Sequence, residues 1–219
     1  MWHTSHSRHP AARPSDVMEI TRATPADLVQ TVDRLTHAFA NDPITGFLLQ
    51  TGTAYRERLT RFFSLLMRAR IALDMPVLVA RDSADIHGMV MGYTTAPPAW
   101  PAGLAEDWQD FERSVPGLTD RMAIYEGIAS AHAPAVPHYY LGVIGVDPAL
   151  HGHGIGMRLL SSFRDLSAAD GLSHGVYLET AEPSNVRFYE RARFVEAGRG
   201  TMGAATLWCM YLPHERDQD

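Results

Sequence analysis

The sequence feature that most constrains the fold is a glycine-rich turn between an apolar strand and an amphipathic helix. The pattern of apolar residues predicts a strand at His138–Val146, the turn at Asp147–Gly154, a helix at Ile155–Ala169 and a second strand at Gly175–Thr180. A strand, a crossover helix and a second strand in this order form a parallel pair within one sheet. The chain is therefore predicted to be of the α/β class, or α+β with a mixed sheet.

Further strands and helices surround this unit in a chain of 219 residues, which is long enough for one domain with a substantial core. The remaining strands are predicted at Glu19–Arg22, Val77–Asp82, Ile86–Thr94, Phe194–Met202 and Ala205–Leu212. The remaining helices are predicted to begin at Thr24 and to cover Tyr55–Leu73, Leu104–Val115, Thr119–Ala131 and Pro183–Ala192. We expect a single domain at 18–213, between a flexible tail at 1–17 and a polar C-terminal tail at 214–219.

Composition and charge argue against several classes of protein. The formal net charge is -6, and the sequence contains no basic stripe of the kind that binds nucleic acid. No apolar run approaches the ~18 residues that a membrane-spanning helix needs. The single cysteine, Cys209, cannot form an intrachain disulfide and lies in an apolar run that predicts a core strand. We therefore expect a cytoplasmic protein without nucleic-acid or membrane partners.

The glycine-rich turn has the properties of a phosphate-binding site. Gly152, Gly154 and Gly156 alternate with other residues where the strand passes into the helix. Glycine lets backbone amides approach a ligand closely, and a helix N-terminus offers unpaired N–H groups and the positive end of a dipole. Together these features bind phosphate or pyrophosphate groups.

The spacing of the turn leaves more than one ligand open. A P-loop is excluded because no Gly-Lys-Ser/Thr sequence follows the turn. A dinucleotide site would have the spacing G-x-G-x-x-G, whereas this turn has G-x-G-x-G. Glu179 nevertheless ends the next strand, where such a site places an acidic residue. A nicotinamide-dependent dehydrogenase is therefore an alternative at this point.

A second motif, on the helix after the second strand, consists of Asn185, Phe188, Tyr189 and Phe194. The turn at His151–Gly156 resembles the Gln/Arg-x-x-Gly-x-Gly/Ala acetyl-CoA signature of the GNAT acetyltransferase superfamily. The second motif resembles the Asn…Phe-Tyr…Gly-Phe motif that follows this signature. The likeness is specific over residues 138–212, whereas over residues 19–95 only the order of the elements agrees.

Within the superfamily, the chain most resembles the puromycin N-acetyltransferases, through Leu178–Thr180, Phe188–Arg191 and Trp208–Met210. Two positions depart from the superfamily pattern. His151 stands where arginine or glutamine is usual, which makes any side-chain contact to phosphate sensitive to pH. Arg193 stands where glycine often precedes the phenylalanine, a departure that bears on the local turn rather than on activity.

The resemblance implies a GNAT-type fold, with a central mixed β-sheet, helices on both faces and splayed fourth and fifth strands. It implies that acetyl-CoA is the cosubstrate, without a metal, and that its pantetheine arm pairs with the exposed edge of the fourth strand. The matching cofactor-binding positions are Ile144, Gly145, Val146, His151, Gly152, His153, Gly154, Ile155, Gly156, Met157 and Asn185. A backbone N–H near Val146 is expected to stabilise the oxyanion of the thioester.

The implied activity is N-acetyl transfer to a small-molecule amine, by direct attack of the neutral amine on the thioester. Tyr189 is the candidate catalytic acid, because an unperturbed tyrosine pKa near 10 lets the hydroxyl donate at neutral pH. Glu179, Tyr140 and His138 lie where a base is needed, and the sequence does not choose among them. The acceptor site is expected beside the two N-terminal helices, with contacts from Phe39, Asn41, Asp42, Trp100, Trp108 and Tyr125.

Two further expectations concern assembly and catalysis. Enzymes of the superfamily often form dimers, so the resemblance implies a homodimer. The alternative to an enzyme is a non-catalytic acyl-CoA-binding module that acts as a sensor. The presence of Tyr189 argues against the sensor, because a binding module needs no catalytic acid.

Overall fold

A computed structural model describes residues 18–215, so the tail predicted at 1–17 and the last four residues lie outside the description. The strands are β1 (Glu19–Arg22), β2 (Val77–Arg81), β3 (Ile86–Tyr93), β4 (Tyr139–Val146), β5 (Gly175–Thr180), β6 (Val195–Met202) and β7 (Ala205–Pro213). The helices are α1 (Leu28–Ala38), α2 (Pro43–Leu49), α3 (Tyr55–Ala72), α4 (Ala102–Ser114), α5 (Leu118–His132), α6 (Ile155–Ala169) and α7 (Pro183–Arg191). No helix in residues 18–215 has both the length and the apolar character needed to cross a membrane.

The first helical region differs from the prediction at its start and in the short helix that follows it. The helix predicted from Thr24 starts as a short 3-10 turn at Pro25–Asp27 and becomes α-helical only at Leu28. Helix α2 was not predicted, although Asp42 caps it by accepting from Thr45 N–H at 2.8 Å. A cap residue followed by proline signals a helix start, but seven residues are too few for an apolar period to show.

The seven strands form one mixed sheet in the order β1-β2-β3-β4-β5-β7-β6. Every neighbouring pair is antiparallel except β4 and β5, which are parallel as the crossover rule predicts. Helix α6 packs on one face through Leu159, Leu160 and Phe163, while α1 and α3 cover the other face. The mixed sheet with helices on both faces is therefore confirmed.

Strands β4 and β5 separate soon after they begin. They pair only at Tyr139 with Val176 and at Tyr140 with Tyr177. Beyond Tyr140, β4 stays paired with β3, while β5 stays paired with β7 as far as Thr180. The splay of the fourth and fifth strands is therefore confirmed, and it leaves one edge of β4 without a partner strand.

Helix α1 rests directly on β4 beside this split. A Cβ added at Gly145 would lie 2.8 Å from Leu35 Cδ2 and 3.0 Å from Phe39 Cε2. A Cβ at this position would force the ends of these two side chains to shift, so glycine lets the helix sit at this depth without rearrangement. Gly145 therefore favours the close approach of α1 to the open edge of β4.

Arg193 adopts the left-handed conformation that glycine usually provides after a helix. Its φ is +71°. Its N–H donates to Glu190 O at 2.9 Å, and the N–H of Phe194 donates to Tyr189 O at 3.0 Å. The rings of Phe194 and Tyr189 also pack with centroids 5.6 Å apart. These contacts form a Schellman motif, which keeps its geometry here although arginine replaces glycine.

We predict that Arg193→Gly stabilises the protein by about 1 kcal/mol, because it relieves the strain of a side chain in the left-handed region. Thermal or urea unfolding measures the change. Arg193→Ala is the matched control: it removes the same exposed contact with Glu215 but keeps a Cβ. Equal stability of the two variants would show that the backbone strain is absent.

Candidate functional site

Two cavities, each of about 540 Å³, meet where β4 and β5 separate. The turn cavity lies between the end of β4, the glycine-rich turn and helix α7. The aromatic cavity is walled by Phe62, Tyr93, Trp100, Trp108 and Tyr125, among others. The side chains common to both cavities are Phe39, Asp42, Ile144, Asn185 and Tyr189. Ligands in the two cavities would therefore face each other across this shared wall.

The open edge of β4 presents a backbone N–H to the turn cavity. Asp147 N–H donates to His87 O at 2.8 Å, on the β3 side of the strand. Backbone N–H groups point alternately to the two sides of a strand, so the N–H of Val146 points to the edge that β5 has left. Val146 lines the turn cavity, where this N–H is placed to meet a carbonyl oxygen.

The glycine-rich turn presents further amides to the same cavity. Gly152 and Gly154 have φ of +84° and +77°, a conformation that glycine adopts without strain. Gly154 is also the N-cap of α6, so the amides from Gly154 to Met157 have no partner within the helix. A Cβ added at either glycine would meet no described atom within 4 Å. Open space in front of unpaired amides at a helix N-terminus suits a phosphate group.

Ten of the eleven residues predicted to bind the cofactor line the turn cavity. The exception is His153, whose ring is exposed and has its Nδ1 3.1 Å from Leu150 O. His151 lies at the cavity wall with its Nε2 3.3 Å from Val146 O. The wall residues that sequence reasoning missed are Ala38, Leu150, Ser184, Phe188 and Arg191. Phe188 belongs to the second motif, so its spacing from Asn185 was a usable signal.

Tyr189 lies at the junction of the two cavities. Its side chain is 4% exposed, and its ring packs between Phe188 and Phe194 at centroid distances of 5.2 and 5.6 Å. Burial raises the pKa of Tyr189 well above its usual value, and the nearby charges of Asp42 and Glu179 raise it further. The hydroxyl therefore keeps its proton at neutral pH and can donate a hydrogen bond.

Glu179 is the buried carboxylate of the aromatic cavity. Its Oε2 accepts from Tyr140 Oη at 2.8 Å and from Tyr125 Oη at 2.9 Å, whereas its buried Oε1 has no hydrogen-bond partner among the described residues. Burial raises the pKa of Glu179 to about 6, against the lowering effect of these tyrosine hydrogen bonds. In addition to burial, the charge of Glu179 in turn raises the pKa of Tyr125 from α5, Tyr140 from β4, Tyr177 from β5, Tyr189 from α7 and Cys209 from β7.

The geometry distinguishes the three candidate bases. The hydroxyl of Tyr140 donates a hydrogen bond to Glu179, and burial raises the pKa of Tyr140 well above its usual value. His138 is half-buried, with its Nδ1 2.8 Å from Val136 O. Only Glu179 combines a raised pKa with an oxygen that has no partner among the described residues. Glu179 is therefore the best placed of the three to accept a proton.

The acceptor contacts predicted from the sequence mostly lie together. Phe39, Asp42, Trp100, Trp108 and Tyr125 line the aromatic cavity, whereas Asn41 does not. Arg70 was missed, although it also lines this cavity and is only 3% exposed. Its position, seven residues after Phe63 and three after Met67 on the buried stripe of α3, was the available signal.

The amino-acid sequence matches the family described as "Acetyltransferase (GNAT) family" over residues 77–194. Solved structures with the same fold include an acetyltransferase from Corynebacterium glutamicum, described as histone acetyltransferase HPA2 and related acetyltransferase. It is 24% identical, with a TM-score of 0.70 and coverage of 92% of this chain and 99% of that chain. The yncA protein of Salmonella typhimurium, solved with its cofactor acetyl-CoA, is 18% identical, with a TM-score of 0.55 and coverage of 92% and 96%. Polyamine N-acetyltransferase of Drosophila melanogaster is 15% identical, with a TM-score of 0.56 and coverage of 90% and 100%.

We predict that Glu179 makes the stability of the protein fall as the pH rises through about 6. Its pKa is raised from 4.5 to about 6 in the folded state, so its contribution favours folding below pH 4.5 and is lost above pH 6. A shift of this size corresponds to about 2 kcal/mol. Glu179→Gln keeps an acceptor for both tyrosines but cannot ionise. Between pH 4.5 and 7.5, its free energy of unfolding relative to wild type should therefore rise by about this amount.

Urea unfolding at a series of pH values measures this difference. Glu106→Gln, at an exposed position of α4, is the matched control and should follow the wild-type pH dependence. A wild type and a Glu179→Gln variant with parallel pH curves would contradict the raised pKa.

Proposed function

The chain belongs to the GNAT acetyltransferase family, and on this premise we propose that it transfers the acetyl group of acetyl-CoA to an amine of a small molecule. The observation that carries the proposal is the meeting of the two cavities at Tyr189, with the free amides of a helix N-terminus in one and a buried carboxylate in the other. A polyamine N-acetyltransferase among the structural neighbours supports an amine as the acceptor class. It does not identify the acceptor, because fold transfers chemistry better than specificity.

The groups that line the turn cavity are suited to the pyrophosphate and the pantetheine arm of acetyl-CoA. The amides from Gly154 to Met157, with the left-handed glycine at 152, would hold the pyrophosphate. The open edge of β4 from Ile144 to Val146 would pair with the amides of the pantetheine arm, and Asn185 would contact the arm from α7. Bound in this way, the cosubstrate supplies an activated acetyl group at the shared wall.

Three groups would then act on the reacting atoms. The N–H of Val146 would donate to the thioester oxygen, which gains negative charge as the amine nitrogen attacks the carbonyl carbon. Glu179 would accept the proton that the nitrogen loses as the new N–C bond forms. Tyr189 would donate its hydroxyl hydrogen to the sulfur as the C–S bond breaks, so that coenzyme A leaves as the thiol, and a proton from water would then restore the hydroxyl.

The alternatives to this function are less well supported by the site. Glu179 lines the aromatic cavity and not the turn cavity, so it is not placed to hold the ribose of a dinucleotide. A sensor would need neither the buried carboxylate nor the tyrosine at the junction. The likeness to puromycin N-acetyltransferases, a homodimer and a cytoplasmic location stay predictions.

We predict that acetyl-CoA raises the thermal unfolding midpoint of the wild type, whereas NAD and ATP do not. Gly154→Ala should weaken acetyl-CoA binding about tenfold, because a Cβ at positive φ strains the turn and moves its amides. Gly156→Ala is the matched control. Its φ is not positive, and its Cβ would make only ordinary contacts, at 3.6 Å from Phe188 and 3.7 Å from Val146.

Titration of each variant with acetyl-CoA measures the affinities. Equal affinity of Gly154→Ala and wild type would remove the glycine-rich turn from the proposed site. A midpoint raised by NAD alone would reject the proposed function.

We predict that kcat/KM for amine acetylation rises with pH through about 6, because Glu179 must lose its proton before it can act as the base. Glu179→Gln should abolish this rise and lower kcat/KM by about 10²- to 10⁴-fold. Tyr189→Phe should lower kcat to a similar extent, while the affinity for acetyl-CoA stays at the wild-type value, because the ring is kept. Thiol release measures the rates across the pH range.

Tyr139→Phe is the control for loss of a buried hydroxyl, because Tyr139 packs with α6 and lines neither cavity. Its kcat and the pH dependence of its kcat/KM should equal those of the wild type. An unchanged rate in Tyr189→Phe would reject the role of Tyr189 as the acid, and a retained rise through pH 6 in Glu179→Gln would reject Glu179 as the base.

A further inference from the structure

Arg70 is a buried cation without a carboxylate partner. Its side chain is 3% exposed, and it forms no ion pair with any carboxylate in residues 18–215. Nη1 donates to Leu66 O at 3.1 Å, and the guanidinium lies 4.3 Å from the centroid of the Tyr93 ring. Nε has no hydrogen-bond partner among the described residues. Buried charges are usually paired, so an unpaired guanidinium at a cavity wall indicates a missing anion.

Strand β4 passes close to the Arg70 guanidinium at Gly142. The register between β3 and β4 shifts around Gly142, where β4 carries one extra residue. A Cβ added at Gly142 would lie 3.1 Å from Arg70 Nη2, so any other residue there would crowd the guanidinium. Arg70 and Gly142 both line the aromatic cavity. The bulge and the glycine together therefore let the backbone of β4 approach Arg70 closely at the wall of the cavity.

The same cavity holds the opposite charge at a second position. Glu179 and Arg70 both line it, yet they form no ion pair. In addition to burial, the charge of Glu179 raises the pKa of Tyr140, whereas the charge of Arg70 lowers it. Tyr140 donates to Glu179 through its hydroxyl, while Arg70 Nη2 and the Tyr140 ring both border the bulge at Gly142. Two opposite charges held apart on one cavity wall are complementary to a ligand that carries both charges.

We propose that the acceptor is an amine that also carries an acidic group, with the acid bound by Arg70 and the amine facing Glu179. The proposal rests on the proposed function and names the acceptor class within it. A guanidinium suits a carboxylate because its planar fork donates two parallel hydrogen bonds. The apolar walls formed by Phe62, Trp100 and Trp108 suit an apolar body between the two charged ends.

A purely structural role for Arg70 gives different expectations. If the guanidinium served only to hold α3 against Tyr93, its loss would lower the unfolding midpoint and leave the choice of acceptor unchanged. If it serves a ligand, its replacement by an apolar side chain of similar length removes an unpaired buried charge. The unfolding midpoint of Arg70→Met is then expected to stay at or above that of the wild type.

The test compares amines that differ only in an acidic group. The pairs are phenylalanine with phenethylamine, 4-aminobutanoate with butylamine, and 6-aminohexanoate with hexylamine, which vary the distance between the charges. For each, kcat/KM is measured by thiol release from acetyl-CoA, and binding is measured by the unfolding midpoint in the presence of coenzyme A. We expect the wild type to prefer the acidic member of at least one pair by about 10- to 100-fold, the range that charge-assisted hydrogen bonds provide.

The variants assign this preference to Arg70. Arg70→Met should bring the ratio within the pair close to one, and Arg70→Lys should keep part of it because the positive charge remains. Arg61→Met is the matched control: Arg61 also lies over an aromatic ring from α3, 5.4 Å from the Phe111 centroid, but it is exposed and lies outside the cavity. It should keep the wild-type ratio.

Two kinds of failure are distinguishable. Equal rates and equal binding within every pair, or an Arg70→Met variant that keeps the wild-type ratio, would overturn the proposal while leaving acetyl transfer intact. No stabilisation by acetyl-CoA and no thiol release with any amine would instead reject the proposed function. Binding of the acidic members in the presence of coenzyme A still reports on Arg70 if turnover is slow.

Discussion

The separation of β4 from β5 is the constraint on which the site depends. The two strands share only the pairs at Tyr139 and Tyr140, after which β4 remains with β3 and β5 with β7. A backbone edge left open inside a sheet is costly unless another group satisfies it. In the proposed function that group is the pantetheine arm of acetyl-CoA, and the open edge of β4 is its binding surface. The turn cavity and the aromatic cavity exist because the two strands part.

Charge is distributed along this opening in a consistent way. The helix N-terminus at Gly154 presents positive potential to the turn cavity. The carboxylates of Asp42 and Glu179 lie near Tyr189, where a positively charged amine would be attracted. Arg70 lies on the wall of the aromatic cavity beside the bulge in β4. Electrostatics thus separate the expected places of phosphate, amine and acid within the two adjoining cavities.

Much of this architecture could be predicted from the sequence because it rests on local signals. The periods of apolar residues gave the bounds of α6 and β5, and the glycine spacing indicated the turn. Helix α2 was not predicted because seven residues are too few to show a helical period of apolar residues. The environments of Arg70 and Glu179 could not be predicted for another reason. Their neighbours come from distant parts of the chain, so no local sequence pattern indicates them. His153 shows the opposite failure: it belongs to the local motif, yet its side chain does not line the turn cavity.

Helix α1, which packs on Gly145, is followed by a residue that lines both cavities. Phe39, at the end of this helix, borders both cavities and packs edge-on against Phe63 of α3 with centroids 4.9 Å apart. A displacement of this one ring changes the space on both sides of the split. In the proposed function, a shift of Phe39 caused by one ligand would therefore change the affinity for the other. Thermodynamic linkage requires that the second ligand then changes the affinity for the first by the same factor.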